Sequence, residues 1–118
     1  MTVHDIIKSA MSAEYEPIEG DTDAAQHSID VLNELLMDCY EAEQNSREMN
    51  GQEPLTAVPV VNDMTDEVPY NDMLVRYALP RGIEWKYCEQ NLDQYRADQY
   101  RMMYENAKHV AGGGVWQK

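Results

Sequence analysis

The stretch that most constrains this chain runs from residue 22 to residue 49. Ala25, Ile29, Leu32, Leu36, Cys39 and Tyr40 recur there at three- and four-residue steps. That spacing lays a continuous apolar stripe along one face of an α-helix, widened here by Leu35 and Met37. Asp21 or Thr22 suits the N-cap, and Asp23 complements the positive end of the helix dipole. The pattern fades through the polar run Glu41 to Glu48 and stops at Asn50-Gly51. A helix over 22–49 would be roughly 40 Å long. That is long for a domain of this size, so its polar end is expected to project from the body or to fray.

Shorter helical patterns flank it. Val3, Ile6, Ile7, Ala10 and Met11 predict a helix over 3–12, with Thr2 as N-cap and Asp5 completing a capping box. Ser12 to Gly20 reads as a loop around Pro17, with Tyr15 and Ile18 as possible anchors. Residues 51–69 carry Pro54, Pro59 and Pro69 between short strand-like pieces, Leu55 to Val58 and Val60-Val61. They read as an extended connector or β-arm, ordered by partners for its backbone. A third helix follows, capped by Asn71 or Asp72. Its buried face is Met73, Leu74, Tyr77 and Ala78, continued by Ile83, Tyr87 and Cys88. Pro80 inside that pattern predicts a kink or two helices in tandem.

The last helix is expected over 91–110. Leu92, Tyr95, Gln99, Met102, Met103, Asn106 and Val110 lie near one face, and Tyr100 and Tyr104 form a second stripe beside Ala97. Two coverable faces suggest one for the core and one for a neighbour, with Tyr100 and Tyr104 the candidates for binding the partner. Gly112, Gly113 and Gly114 then end the helix as a flexible hinge, which carries Val115 and Trp116 toward another molecule. The expected fold is all-α: a small bundle of about four helices over 1–111, with the connector between helices 2 and 3 and a flexible tail over 112–118.

Charge divides the chain. Residues 1–68 hold 16 Asp and Glu against Lys8 and Arg47; residues 69–118 hold 6 against 7 Lys and Arg. A net charge of −13 argues against direct binding to phosphates, which takes a basic patch. It fits a surface that repels DNA or docks on a basic partner. With no Phe but eight Tyr, two Trp and eight Met, the chain suits surfaces that a partner covers. Cys39 and Cys88, the two cysteines, both fall in helical patterns and read as buried, reduced thiols. No apolar run approaches the ~18 residues of a membrane span, and the N-terminus lacks the marks of a signal peptide. The expected setting is a host cytoplasm, without membrane contact.

Templates for chemistry come up empty. The glycine run follows a helix and precedes none, so it is no phosphate loop. His4, His27 and His109 fall in separate elements, and no Cys-x-x-Cys occurs. Asp63 to Glu67 lacks the glycine and distal glutamate of a calcium loop. No catalytic residue, cofactor or metal is expected.

Taken in order, the elements resemble the head-to-tail adaptor (connector) proteins of tailed bacteriophages. The resemblance rests on Val3-His4-Asp5-Ile6-Ile7-Lys8-Ser9-Ala10 at the start and on Val31-Leu32-Asn33-Glu34-Leu35-Leu36 in the long helix. It continues with the acidic step Asp66-Glu67-Val68-Pro69-Tyr70, with Met73 to Leu79, and with Tyr100-Arg101-Met102-Met103-Tyr104-Glu105-Asn106-Ala107 near the end. Pro80-Arg81-Gly82 and the polar run Glu41 to Gln52 depart from the pattern. The resemblance implies a ring, typically a dodecamer in the virion neck, built from a chain that is a monomer alone. Such a ring docks on the portal protein, extends the DNA channel without binding DNA specifically, and carries the next neck or tail protein. Portal contact would then fall to the C-terminal segment from Gly112 onward. An acidic DNA mimic or regulatory binding protein is the alternative from another class, and a carboxylate-dependent cell-wall hydrolase is a third.

Overall fold

Thr2 starts the first helix, α1 (Val3–Ala10), by the reciprocal capping its sequence predicts. Its hydroxyl accepts from the Asp5 N–H at 3.2 Å, and its own N–H donates to the Asp5 carboxylate at 3.2 Å. Val3, Ile6, Ile7 and Ala10 are buried. The computed structural model describes residues 1–10 and 22–114, and the side chains of all of these except 22–24. The expectations for Met11, the Ser12 to Gly20 loop, the Asp21, Thr22 and Asp23 cap, Val115 and Trp116 lie outside that description. Among the described residues the fold is all-helical and without strands.

The long helix forms as two pieces, α2 (Thr22–Asp38) and α3 (Tyr40–Met49), with the break at Cys39. In an unbroken helix the Leu36 carbonyl would accept from the Tyr40 N–H. Here the buried Tyr70 hydroxyl donates to that carbonyl at 2.5 Å. A side chain inserted into the helical ladder is a known cause of a break. Gly51 then ends α3 at φ 67°, where glycine carries no steric penalty. The Gly51 and Gln52 N–H groups bond back to the Glu48 and Arg47 carbonyls at 3.3 and 2.8 Å, the double closure of a Schellman cap.

The polar run does not project or fray. It is the face that holds the connector. Glu43 is buried, with 2% of its side chain exposed, and accepts from Arg47 Nε at 2.6 Å. Its other oxygen accepts from the backbone N–H of Asn71 at 2.6 Å and from the Asn71 side chain at 3.1 Å. Arg47 spends its remaining nitrogens on the Glu53 and Pro69 carbonyls. Two side-chain amides grip the connector's backbone from both sides. Gln44 donates to the Leu55 carbonyl and accepts from the Leu55 N–H, each at 2.9 Å. Asn33 does the same to Val61, also at 2.9 Å. Residues 33 and 44 lie about 16 Å apart along a helix, and the six steps from 55 to 61 reach about 20 Å when extended. The connector therefore runs back along α2–α3. It then meets the N-terminus, where Val3 and His4 donate to the Asp66 and Met64 carbonyls and Thr2 pairs with Glu67 in an isolated antiparallel bridge.

After the connector, Asn71 caps a helical stretch whose first turns are π-helical, Leu74–Ala78, and which continues as α4 (Leu79–Gln90). Pro80 has no N–H and clashes one turn back, and the wider π-turn before it takes up that defect. One extra residue in the turn shifts the phase of the buried face. Val75 and Leu79 turn inward, while Tyr77 and Tyr87, expected in the core, are 58% and 40% exposed. Leu92, at φ 61°, closes α4, and Asp93 caps α5 (Gln94–Ala111) by accepting from the Arg96 N–H.

Two helices thick, at 18 Å in its thinnest dimension, the body has α4 at its centre. It packs on α1, α2 and α5. Gly82 makes that possible: a Cβ there would stand 2.9 Å from a Leu35 methyl and 3.0 Å from the Tyr104 ring. Two outcomes test these assignments in denaturant melts. Glu43→Ala strands Arg47 and uncaps the connector, and should cost about 3 kcal/mol. Leu92→Gly relieves a left-handed leucine that is 91% exposed and should stabilise by about 1 kcal/mol.

Candidate functional site

Helix α5 presents the two faces its sequence suggests, but in the reverse assignment. Ala97, Tyr104, Ala107 and Ala111 face the core. Tyr104, expected on the face left for a partner, is fully buried. Its ring lies 5.7 Å from that of Trp85, and its hydroxyl donates to Asp38 at 2.5 Å. Tyr100 is half-buried at the edge of that face, with Arg96 over its ring. The uncovered face is the other stripe. Tyr95, Met102 and Met103 are 75%, 71% and 48% exposed. The reason is close packing: alanines let the backbones of α4 and α5 approach, and larger side chains on that face would hold them apart. The alanine spacing was the signal for this, and size-weighted reading of Leu, Met and Tyr passes over it.

Gly112, Gly113 and Gly114 form a closed turn and not a hinge. The Gly113 and Gly114 N–H groups bond to the Val110 and His109 carbonyls at 3.0 and 2.9 Å, with Gly113 at φ 98°. That is a second Schellman closure. It leans on α3, where the Ala42 Cα lies 3.4 Å from where a Cβ on Gly112 would be. A cleft of about 600 Å³ opens beside it, between α3 and the end of α5.

The cleft wall holds a charged network that reaches the core. Lys108 donates to Asp38 at 2.8 Å and contacts Glu105 at 3.1 Å. Desolvation works against the Asp38 charge, yet the hydrogen bonds from Lys108 and Tyr104 outweigh it and hold its pKa below the usual value. Desolvation likewise opposes the Lys108 charge, and its two carboxylate partners outweigh it and raise its pKa. Burial pushes the Cys39 thiol, 3.3 Å from the Tyr104 hydroxyl, up to about 11. Burial also pushes the Tyr104 phenol well above its usual range. Both groups stay protonated at neutral pH and are poor nucleophiles. Among the described residues, no three His, Cys, Asp or Glu side chains gather to hold a metal ion.

A third feature is a line of carboxylates. Asp30, Glu34, Asp38, Glu41 and Glu48 follow one another at three-, four- and seven-residue steps and lie on the exposed side of α2–α3. They share one helical face over about 27 Å. Met37, 68% exposed, sits among them.

Comparison with known protein families, with curated proteins and with solved structures finds no match.

The Asp38–Lys108 pair gives a pH signature. Asp38 titrates lower in the fold than its ordinary 3.8, so its contribution is present above that value and is lost as pH falls through the folded pKa. Lys108 titrates higher than its ordinary 10.5, so its contribution is present below that value and is lost as pH rises through the folded pKa. Denaturant melts of the wild type and Lys108→Met should differ at neutral pH. The difference should shrink toward both extremes.

Proposed function

We propose that this chain is a structural assembly protein without catalytic activity, of the kind that forms the head-to-tail adaptor ring of a tailed phage. The observation that carries this reading is the stripe Tyr95, Met102 and Met103 on α5, which stands in solvent along an otherwise well-packed helix. Large flexible and aromatic side chains of this kind are what protein interfaces bury. Several features support the same reading. Side chains pin the connector to α2–α3, which keeps the surface rigid before any partner arrives. The Asp38, Tyr104 and Cys39 network offers protonated or paired groups and no activated nucleophile. A net charge of −13 lets DNA pass without sticking, since phosphate binding needs cations. In this reading the partners are the portal, the next neck or tail protein and further copies of the chain, and the setting is a host cytoplasm and then a virion neck.

A second reading has its own observation. The carboxylates Asp30, Glu34, Asp38, Glu41 and Glu48 run along one face as phosphates run along a nucleic acid strand, which favours an acidic DNA mimic. One pair of experiments separates the two. Purified chain mixed with portal rings should co-sediment as a complex, and absence of a complex at every concentration would sink the adaptor reading. Under the mimic reading the chain would instead displace duplex DNA from a DNA-binding enzyme, and Glu34→Gln with Glu41→Gln would abolish the displacement.

A further inference from the structure

Asn50-Gly51, the step that ends α3, is the one Asn-Gly pair in the chain. We propose that it is a site of spontaneous deamidation, held quiet by the helix cap and released when the last turn of α3 opens. The proposal goes beyond the assembly reading and does not rest on it.

The chemistry needs only water. The Gly51 backbone nitrogen loses its proton and attacks Cγ of the Asn50 side chain. A bond from that nitrogen to Cγ forms, the bond from Cγ to Nδ2 breaks, and the departing amide takes up the proton and leaves as ammonia. The product is a five-membered succinimide ring. Water then opens the ring at either carbonyl. One opening leaves an ordinary aspartate at position 50, and the other leaves its isomer, in which the main chain runs through the side-chain carbon. The sum is one water consumed and one ammonia released, with nothing oxidised or reduced. Glycine favours the attack because no Cβ screens its nitrogen. Both residues are exposed, and nothing lies within 4 Å of where a Cβ on Gly51 would stand.

The folded cap opposes the attack in three ways. Ring closure needs Cβ of Asn50 and the Gly51 nitrogen on the same side of the Cα–C bond. At ψ 7° that nitrogen nearly eclipses the Asn50 backbone nitrogen instead, and Cβ points away from it. The Gly51 N–H is engaged by the Glu48 carbonyl at 3.3 Å. The Asn50 side-chain amide donates to the Ser46 carbonyl at 2.8 Å, which turns it back along the helix. The Gln52 N–H closes the turn on the Arg47 carbonyl at 2.8 Å. Arg47 is tied in turn to Glu43 and to the Glu53 and Pro69 carbonyls. The reaction therefore waits for a local opening of this turn, and the hold on Arg47 sets how often it opens.

Neither product fits the cap. An aspartate at position 50 cannot donate to the Ser46 carbonyl, and its charge meets the negative end of the α3 dipole. The isomer adds one carbon to the main chain between positions 50 and 51, so Gly51 and Gln52 lose register with Glu48 and Arg47. Conversion thus couples the age of the chain to the hold of α3 on the connector.

The test ages the full chain in warm, mildly alkaline buffer, folded in one sample and denatured in another, before a brief tryptic digest. Cleavage after Arg47 and Arg76 leaves Asn50, Asn62 and Asn71 on one peptide. Tandem mass spectrometry then reads the loss of each amide against the other two. Both samples should convert Asn50 first, the folded one about tenfold or more slowly. Denaturant well below the melt should leave the folded rate unchanged, because the opening is local. Hydrogen exchange supplies the second readout. Asn50→Asp, which stands in for one product, should speed exchange at the Gln52 N–H over wild type. Equal rates in the two samples overturn the proposal, as does a folded chain that never converts Asn50 or converts Asn62 or Asn71 ahead of it. A folded rate that climbs with dilute denaturant makes global unfolding the gate and overturns it too. Unchanged exchange at Gln52 in Asn50→Asp removes the coupling to the connector.

Discussion

Glu43 is a carboxylate placed where almost no solvent reaches it, and the arrangement of half the chain follows from satisfying it. A buried charge is costly unless it is paired and its remaining lone pairs are bonded. Arg47 pairs one oxygen at 2.6 Å, and the Asn71 N–H and amide occupy the other. Asn71 is also the cap of the π-turn that leads into α4. One carboxylate thus joins the end of the long helix, the end of the connector and the start of the central helix. Removing any partner would leave charge uncompensated in the interior.

The connector between α3 and Asn71 shows how a chain can order an irregular segment without a sheet. A strand finds its backbone partners in another strand. Here Asn33 and Gln44 each present an amide whose oxygen and nitrogen match the N–H and carbonyl of one residue, Val61 and Leu55. The prolines at 54, 59 and 69 carry no N–H to satisfy, which lowers the number of bonds the helices must supply. Tyr70 then reaches into the helix at Leu36. The same contact that fastens the connector also breaks the long helix at Cys39.

How much of this was legible in the residues follows from the range of each interaction. Local signals were readable. The Thr2–Asp5 capping box, the Asn71 cap, the buried stripe of α2 and the all-helical class all depend on neighbours a turn apart. Interactions between distant residues were not. Glu43 to Arg47 is an i, i+4 pair that any solvated helix could carry, and nothing local says that Asn71 completes it. The polar run therefore looked like a projecting end. Pro80 announced a defect, but the residue pattern did not say that a π-turn would absorb it and turn Tyr77 outward. On α5 the periodicity was right and the choice of face was wrong, because alanines gain by closeness what tyrosines and methionines gain by area. The glycine run looked loose until α3 was there for it to close against.

That last inversion changes what the surface means. As it stands, α5 offers an apolar stripe with Arg96 on one flank and Asp98 and Glu105 on the other, and α2–α3 offers carboxylates around an exposed methionine. The same asymmetry that separates residues 1–68 from residues 69–118 in charge thus separates the carboxylate-lined face of α2–α3 from the apolar stripe of α5.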